Sequence, residues 1–217
     1  MKDLEQLFYD FKNHLMTDVK PSYYFNQIFE KHPIATTYPF TMLSDLKKVK
    51  QSPKFHPEGN VWNHTMLVID NAAIRKNQSH NPEALMWASL LHDIGKTSTT
   101  KILKGRITAY NHDKFGEKMA AEFLSVLKAK KELIYLVSKM VRWHMQILFV
   151  IKELPFADIK TMLSEVCLED IALLSLCDRL GRGNMKNTTI SDEEKNVQIF
   201  MEKCMNHLTF YDMSQND

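Results

Sequence analysis

The stretch LLHDIGK at residues 90–96 decides the fold. It places the dipeptide His92-Asp93 at the end of an apolar segment, shortly before Gly95. Neighbouring side chains on a helix diverge by about 100° around its axis, so these two reach a common point only where the helix ends. An imidazole and a carboxylate are both good ligands for a divalent transition metal. The stretch therefore predicts a metal site at the end of a buried helix, with further ligands supplied from elsewhere.

Other polar residues within or beside apolar helical patterns are the candidate partners. Burying such groups without partners is costly, and a shared metal would satisfy them together. The candidates are His64, His112, His144 and Asp178. Each also has a plainer interpretation, since a single inward histidine is usually a hydrogen-bonded core residue. Asp178 by itself is equally compatible with pairing to Arg142 or Arg179.

The order of these residues resembles that of the HD superfamily of metal-dependent phosphohydrolases. Four blocks also resemble the HD domain of bacterial tRNA nucleotidyltransferases, the CCA-adding enzymes. The blocks are HPEGNVWNHT (56–65), LHDIGK (91–96), GRITAYNHD (105–113) and DRLGRG (178–183). The resemblance covers roughly residues 50 to 185, and four blocks in the family's order are far more specific than one His-Asp pair. One departure is Asn111-His112-Asp113, where the family commonly has Gly-His-Glu.

The resemblance implies an all-α HD-domain bundle and a set of metal ligands. His64, His92, Asp93 and Asp178 would hold a first divalent ion, and Asp93 would bridge to a second. The second ion would be bound by His112 and His144, and family members without these two histidines hold one metal. We therefore expect one or two ions as cofactor, chosen from Mn, Fe, Ni, Co, Zn or Mg. Imidazole donors favour the transition metals over magnesium, which prefers oxygen ligands.

Three cationic or titratable residues near the blocks are candidates for substrate binding. Lys96 and Arg182 could each meet a phosphate oxygen, and His56 could line the mouth of the substrate site. We expect Asp93 and Lys96 to act in catalysis. The plainer alternatives are a solvated surface lysine and an arginine that interacts with a helix dipole. His56 and Glu58 could instead orient the metal-binding side chains through hydrogen bonds, without contacting the metal.

Composition sets the expected cellular context. The chain has 217 residues and a formal net charge of +2, which is too mild to predict nucleic-acid binding from charge alone. A nucleic-acid partner is therefore possible but unsupported by charge.

The three cysteines lack CxxC spacing, so we expect reduced, buried thiols. Without a signal-peptide core or an apolar run of about 20 residues, we expect a cytoplasmic protein with no membrane partner. The oligomeric state stays open.

Helical periodicity predicts the arrangement of the elements. We expect a small hairpin near residues 101–110, one helix from Lys131 to Phe149, a short helix opened by Pro155, and a last helix whose capping box begins at Ser191. The predicted organisation is a helical N-terminal extension packed on the core, an HD core and a C-terminal helix, at residues 1–50, 51–190 and 191–217.

These features favour a stand-alone phosphohydrolase. It would use metal-activated water to cleave a phosphomonoester or cyclic phosphodiester of a nucleotide or related small molecule. CCA addition is not expected, because it needs a nucleotidyltransferase head and residues 1–50 are too short and helical to supply one. Two alternatives are a nucleotide- or RNA-binding module with a structural metal and a diiron oxygenase.

Overall fold

A computed structural model of the protein describes residues 4–31, 33–183 and 190–213. The fold is all-α, as predicted, with the helices joined mostly by short loops. The helices are α1 (Leu4–Thr17), α2 (Pro21–Lys31), α3 (Thr41–Ser44), α4 (Val61–Arg75), α5 (Pro82–Leu91), α6 (Lys96–Thr99), α7 (His112–Val126), α8 (Lys131–Trp143), α9 (Gln146–Ile151), α10 (Ile159–Glu165), α11 (Leu168–Leu180) and α12 (Ile190–Met213). Short 3-10 turns occur at Pro33–Thr36, Asp45–Lys48 and Lys76–Gln78.

The predicted hairpin is present between α6 and α7. Its strands β1 (Lys101–Leu103) and β2 (Arg106–Thr108) pair antiparallel, with Lys101 opposite Thr108. Gly105 has a φ of 73°, in the left-handed region that a tight turn requires and glycine adopts readily. The hairpin leads the chain from the His-Asp turn to the start of α7.

Helix α5 is the central element of the bundle. The side chain of Asn81 accepts from the backbone N–H of Ala84 at 3.0 Å, and Pro82 occupies the first turn, so the helix starts where the sequence predicts. Every residue from Ala84 to Leu91 is buried. A helix that is apolar on all sides needs neighbours on all sides. Its end therefore delivers His92 and Asp93 into the interior of the protein.

The N-terminal helices share the hydrophobic core with α5. The ring of Phe8 stacks on Trp87 with centroids 5.3 Å apart, and Phe11 is fully buried against Phe25 at 5.0 Å. Burial of such aromatic rings makes a large contribution to stability. The predicted division of the chain at residues 50 and 190 stays a prediction.

Gly95 brings the His-Asp turn against the start of α7. A Cβ atom at position 95 would lie 2.1 Å from the carbonyl oxygen of His112 and 2.6 Å from the backbone nitrogen of Gly116. Only glycine permits this backbone approach. The close packing positions His112 beside Asp93 although the two are 19 residues apart in the chain.

Three predicted helix boundaries are wrong. The segment from Lys131 to Phe149 is two helices, because the chain turns after Trp143; apolar periodicity does not distinguish one buried helix from two in succession. Pro155 does not open a helix, since α10 begins at Ile159 and the Asp158 side chain caps it by accepting from Thr161 N at 3.1 Å. Ser191 is predicted to cap the last helix from outside, but α12 already starts at Ile190, so Ser191 is a residue of the helix.

The cysteines differ from their prediction in one respect. Cys177 and Cys204 are buried free thiols, but Cys167 is partly exposed. Its thiol donates a hydrogen bond to the Glu169 carboxylate at 2.9 Å. Cys167 precedes the first residue of α11, and there its side chain reaches the surface. The absence of CxxC spacing argues against a metal or disulfide pair, but it does not predict burial.

One stretch of the described chain is apolar and long enough to cross a membrane. It runs over Lys131–Ile151, and half of it is buried inside the protein. This is typical of core helices in a globular protein. The stretch comprises α8 and α9 and is interrupted at His144, whose ring lies in the interior.

Candidate metal centre

The His92-Asp93 pair forms the middle of a buried polar cluster. The Nδ1 atom of His92 donates to the carbonyl oxygen of Ser89 at 2.9 Å. Its Nε2 atom lies 3.3 Å from Oδ2 of Asp93 and has no hydrogen-bond partner among the described residues. A buried nitrogen lone pair that lacks a donor is suited to bind a metal ion.

The same orientation recurs in the other three histidines. Nδ1 lies 3.0 Å from the Gly181 carbonyl in His64, 2.7 Å from a backbone carbonyl in His112 and 2.6 Å from one in His144. A carbonyl oxygen only accepts, so the proton of each neutral ring resides on Nδ1. When the rings are neutral, all four Nε2 atoms are acceptors, the tautomer that metal-binding histidines use. Although burial opposes protonation, hydrogen bonds to Asp178 and Glu58 raise the pKa of His64 to about 9, so without a metal this ring is protonated at neutral pH and its Nε2 donates to Asp178. A bound metal ion would replace that proton.

His64, His92 and Asp178 form a first triad of potential ligand atoms. They come from α4, from the end of α5 and from the last turn of α11, and all three are buried. Nε2 of His64 lies 3.0 Å from Oδ1 of Asp178, and the ligand atoms of the triad are within 4.8 Å of one another. These are three of the four residues predicted to hold the first ion; the fourth is Asp93.

Asp93, His112 and His144 form a second triad. The Nε2 atoms of the two histidines are 3.2 Å apart. Oδ1 of Asp93 is 3.4 Å from Nε2 of His112 and 3.8 Å from Nε2 of His144. The ligand atoms again lie within 4.8 Å of one another. All six residues predicted as metal ligands are thus brought together in one cluster.

Asp93 connects the two triads through its two oxygens. Oδ1 faces the second triad, whereas Oδ2 lies 3.3 Å from Nε2 of His92 and 3.8 Å from Nε2 of His64. The carboxylate is almost completely buried. The carboxylate therefore lies between the triads and would be placed to contact ions bound in either one.

The donor set fits divalent metal ions. Three acceptors meet in the second triad, because the His112 and His144 lone pairs and Oδ1 of Asp93 face one another. Burial lowers the pKa of His112, and burial together with the nearby His112 lowers that of His144 to about 4. Both rings are therefore neutral near pH 7 and supply no proton to the contact. A cation would relieve this repulsion, and imidazole with carboxylate is a favourable set for transition metals.

Charges around the cluster keep its carboxylates ionised. Burial alone raises the pKa of Asp93, but Lys96 and His92 hold it well below its usual range. The same balance applies to Asp178, where Arg182 and His64 lower a pKa that burial raises. Both residues are therefore available as anionic ligands at neutral pH.

Lys96, one of the predicted substrate-binding residues, borders the cluster. Its ammonium lies 2.7 Å from Oδ2 of Asp93 and donates to Oε1 of Gln51 at 2.9 Å. Arg182 is less close, with Nη2 at 3.7 Å from Oδ2 of Asp178. Sequence reasoning missed Gln51, for which the chain offers no motif.

His56 contacts the cluster through Glu58. Oε1 of Glu58 lies 2.8 Å from Nδ1 of His56 and 3.0 Å from Nδ1 of His64. Although burial opposes ionisation, these hydrogen bonds lower the pKa of Glu58 to about 2. The carboxylate is therefore placed to orient the His64 ring, which is one of the two roles considered for this loop.

A salt bridge links the elements that carry the second triad. The Arg142 guanidinium donates to Oδ2 of Asp113, so the residue after His112 is tied to the helix that ends before His144. Arg179 binds Glu193 of α12. Since each arginine has another partner, the suggested pairings of Asp178 with Arg142 or Arg179 are wrong.

A cleft of about 1100 Å³ opens beside the cluster. His56, Lys96 and His112 lie in its wall, so the cleft reaches the second triad. Arg182 is not among the described residues that line it. Sequence reasoning missed the remaining wall, which comes mainly from the loop before α4, from α9, from the loop after α9 and from the segment before α7.

The helical bundle and the paired triads define a metal-binding protein of the HD type. The chain belongs to the HD domain family, whose pattern it matches over residues 61–182. This family is part of a superfamily of metal-dependent phosphohydrolases. The matched region contains all six residues of the cluster.

The chain is also similar to parts of longer bacterial proteins. It is 34% identical over 113 residues to a multifunctional CCA protein of Actinobacillus pleuropneumoniae, covering 52% of this chain and 26% of the relative. The corresponding protein of Haemophilus ducreyi is 33% identical over 122 residues, which are 55% of this chain and 29% of the relative. The similarity thus spans under a third of either relative's length.

Proposed function

We propose that the protein is a phosphohydrolase that uses one or two divalent ions to cleave a phosphomonoester or a cyclic phosphodiester. The position of Asp93 is the observation that carries this proposal. One of its oxygens faces the His64–His92–Asp178 triad, and the other faces the His112–His144 pair. A carboxylate shared by two such sets is suited to two-metal hydrolysis.

The residues divide between metal binding and charge stabilisation. His64, His92, Asp93 and Asp178 would hold a first ion, and Asp93, His112 and His144 a second. A bound divalent ion lowers the pKa of water and polarises a phosphoryl oxygen. The backbone carbonyls and Glu58 hold the imidazole rings in the orientation for binding. Lys96 lies at the border between Asp93 and the cleft, where its charge would meet a non-bridging phosphate oxygen.

The proposed substrate is a nucleotide or a related phosphorylated small molecule. A cleft of about 1100 Å³ is larger than a phosphate group needs and accommodates a ligand of nucleotide size. Its lysines favour an anion. Arg182 and His56 are the further candidates for substrate contact, Arg182 through movement toward the cleft. We place this reaction in the cytoplasm and expect no membrane partner.

The test is phosphate release by the full chain, purified without chelator. The protein would be loaded separately with Mn, Fe, Co, Ni, Zn and Mg, and offered phosphomonoesters and 2′,3′-cyclic phosphodiesters. We expect turnover with at least one metal, and its loss in Asp93→Ala. Tight metal binding without turnover of any ester would contradict the proposal and favour a binding module with a structural metal. Oxygen consumption by the ferrous protein would favour an oxygenase.

A further inference from the structure

The cleft beside the second triad has a wall of exposed aromatic rings. Phe55 is 55% exposed, Tyr110 is 72% exposed and Phe156 is 66% exposed, and all three line the cleft. Large apolar side chains that stay exposed around a concave surface are typical of ligand sites. These rings are therefore available to contact whatever occupies the cleft.

Tyr110 is held close to the metal cluster by the backbone. It precedes His112 by two residues, and the intervening Asn111 has a φ of 61°. Asparagine is among the few residues that tolerate this left-handed conformation. The next residue, His112, is anchored by the bond from its Nδ1 to Ala109 O at 2.7 Å. The backbone of Tyr110 is thus held two residues from His112 of the second triad.

Phe156 is held in the cleft wall by contacts of the loop after α9. The Gln146 side chain donates to the carbonyl oxygen of Phe156 at 3.3 Å and accepts from Asp158 N at 2.9 Å. The Phe149 ring packs against that of Phe156 with centroids 5.6 Å apart. The loop is therefore anchored from both sides, and the Phe156 ring is in place before a ligand binds.

The charged groups of the cleft favour an anionic ligand. Its positive side chains are Lys50, Lys96, Lys114 and Arg142, and its carboxylates are Asp113 and Asp158. Asp113 is neutralised by Arg142, and Asp158 caps α10. Lys96 pairs with Asp93, so Lys50 and Lys114 are the positive side chains of the described cleft wall that are not matched by a carboxylate, and Lys114 lies two residues from His112. A molecule with a phosphate at one end and a planar ring at the other would match these charges and the aromatic wall.

We propose that the cleft selects phosphoesters whose leaving group carries a planar aromatic heterocycle, as in a nucleotide, and that Tyr110 and Phe156 determine this specificity by stacking. This inference rests on the proposed phosphohydrolase function. Stacking of one base on an aromatic side chain changes affinity by roughly 5- to 100-fold. The two residues would act on the ring of the substrate, whereas the metal ligands act on its phosphate.

The test compares substrates that differ only in the heterocycle. One pair is a nucleoside 5′-monophosphate and ribose 5-phosphate; the other is a nucleoside 2′,3′-cyclic phosphate and the cyclic phosphate of methyl ribofuranoside. The variants are Tyr110→Ala, Phe156→Ala and Tyr110→Phe, which keeps the ring. The matched control is Phe115→Ala, because Phe115 is 52% exposed on α7 and is not among the described residues that line the cleft.

We expect the wild type to prefer the base-bearing member of a pair by about tenfold or more in kcat/KM. Tyr110→Ala and Phe156→Ala should lower kcat/KM on that member by roughly 5- to 100-fold and change the base-free member by less than about twofold. Tyr110→Phe and Phe115→Ala should keep the preference. Equal losses on both members, or a wild type without preference, would overturn the inference.

A binding measurement separates this inference from the proposed function. Titration of the full chain with a nucleoside monophosphate and with inorganic phosphate needs no turnover. If no ester is hydrolysed but Tyr110→Ala weakens only nucleoside monophosphate binding, the proposed function fails and the aromatic site stands. If esters are hydrolysed and Tyr110→Ala leaves nucleoside monophosphate binding unchanged, the aromatic site is wrong and the hydrolase stands.

Discussion

The Nε2 atoms of His112 and His144 lie 3.2 Å apart, although a backbone carbonyl holds the proton of each ring on Nδ1. Two nitrogen lone pairs that face each other at this distance repel. Asp93 adds a carboxylate oxygen 3.4 Å from Nε2 of His112. A cation between these atoms would relieve the repulsion, so this part of the cluster is the candidate site for the proposed second ion.

Loss of either histidine should therefore remove one ion and leave the other. In His112→Ala and His144→Ala, the first triad and Asp93 remain intact, so metal stoichiometry should fall from two toward one per chain. Metal analysis after loading with Mn or Fe measures this directly. A wild type that saturates at one equivalent would refute the two-metal site, although hydrolysis with one ion could persist.

Gly95→Ala should disturb the second triad through the backbone. The new methyl group would meet the His112 carbonyl at 2.1 Å, so the start of α7 must shift. We expect a loss of about 1–3 kcal/mol in the free energy of unfolding and a weaker second metal site. Denaturant titration and metal analysis measure the two effects.

Gly105→Ala is the matched control for this substitution. Its Cβ would meet no described atom within 4 Å, but its φ of 73° gives a backbone cost of about 1–2 kcal/mol. Metal stoichiometry should stay at the wild-type value. If Gly95→Ala also retains full stoichiometry, the close approach to His112 does not set the geometry of the site.

Lys96→Ala should reduce catalysis more than metal binding. The ammonium ion cannot ligate metal, but it lies between Asp93 and the cleft, where in the proposed reaction it would face the charge that develops on a phosphate. We expect kcat/KM to fall by about 10- to 1000-fold with near-normal metal content and melting temperature. Lys118→Ala, at an exposed position of α7, serves as control. Unchanged kinetics would remove Lys96 from the mechanism, and lost metal would make it a support of Asp93.

Phe11→Ala should destabilise the whole molecule. The ring is fully buried and packs against Phe25, Phe40 and Trp87, so it connects the N-terminal helices to α5. We expect a loss of about 3–5 kcal/mol, while Tyr23→Ala at an exposed position costs less than about 1 kcal/mol. A single cooperative unfolding transition should persist. Separate early melting of the N-terminal helices would contradict a shared core.

The sequence predicts the centre of this molecule better than its edges. Asn81 and Pro82 give the start of α5, and the His-Asp pair gives its end, because capping and burial both depend on local residues. The six clustered residues are predicted as metal ligands from the family order, and the structure brings their side chains together. The close approach at Gly95 and the Lys96–Gln51 bond depend on tertiary packing, which periodicity does not encode.

The cleft wall is also formed by tertiary packing that the sequence pattern does not predict. Tyr110 and Phe156 are 46 positions apart in the chain, and neither belongs to an apolar stripe that suggests a shared surface. Their common position results from the turn at His144 and the Asp158 cap of α10. The sequence pattern predicts one continuous helix to Phe149 and a helix start at Pro155. With those boundaries, the loop that carries Phe156 and its place in the cleft wall cannot be predicted.

Metal content and phosphate release of Asp93→Ala, measured beside the wild type, test the central claim most directly. Asp93 contacts both triads, so its loss should strip metal from the protein and abolish hydrolysis, while circular dichroism shows that the helices persist. Asp45→Ala, which removes a surface carboxylate paired with Lys48, should change neither property. An Asp93→Ala protein that keeps full metal content and the wild-type rate would contradict the account.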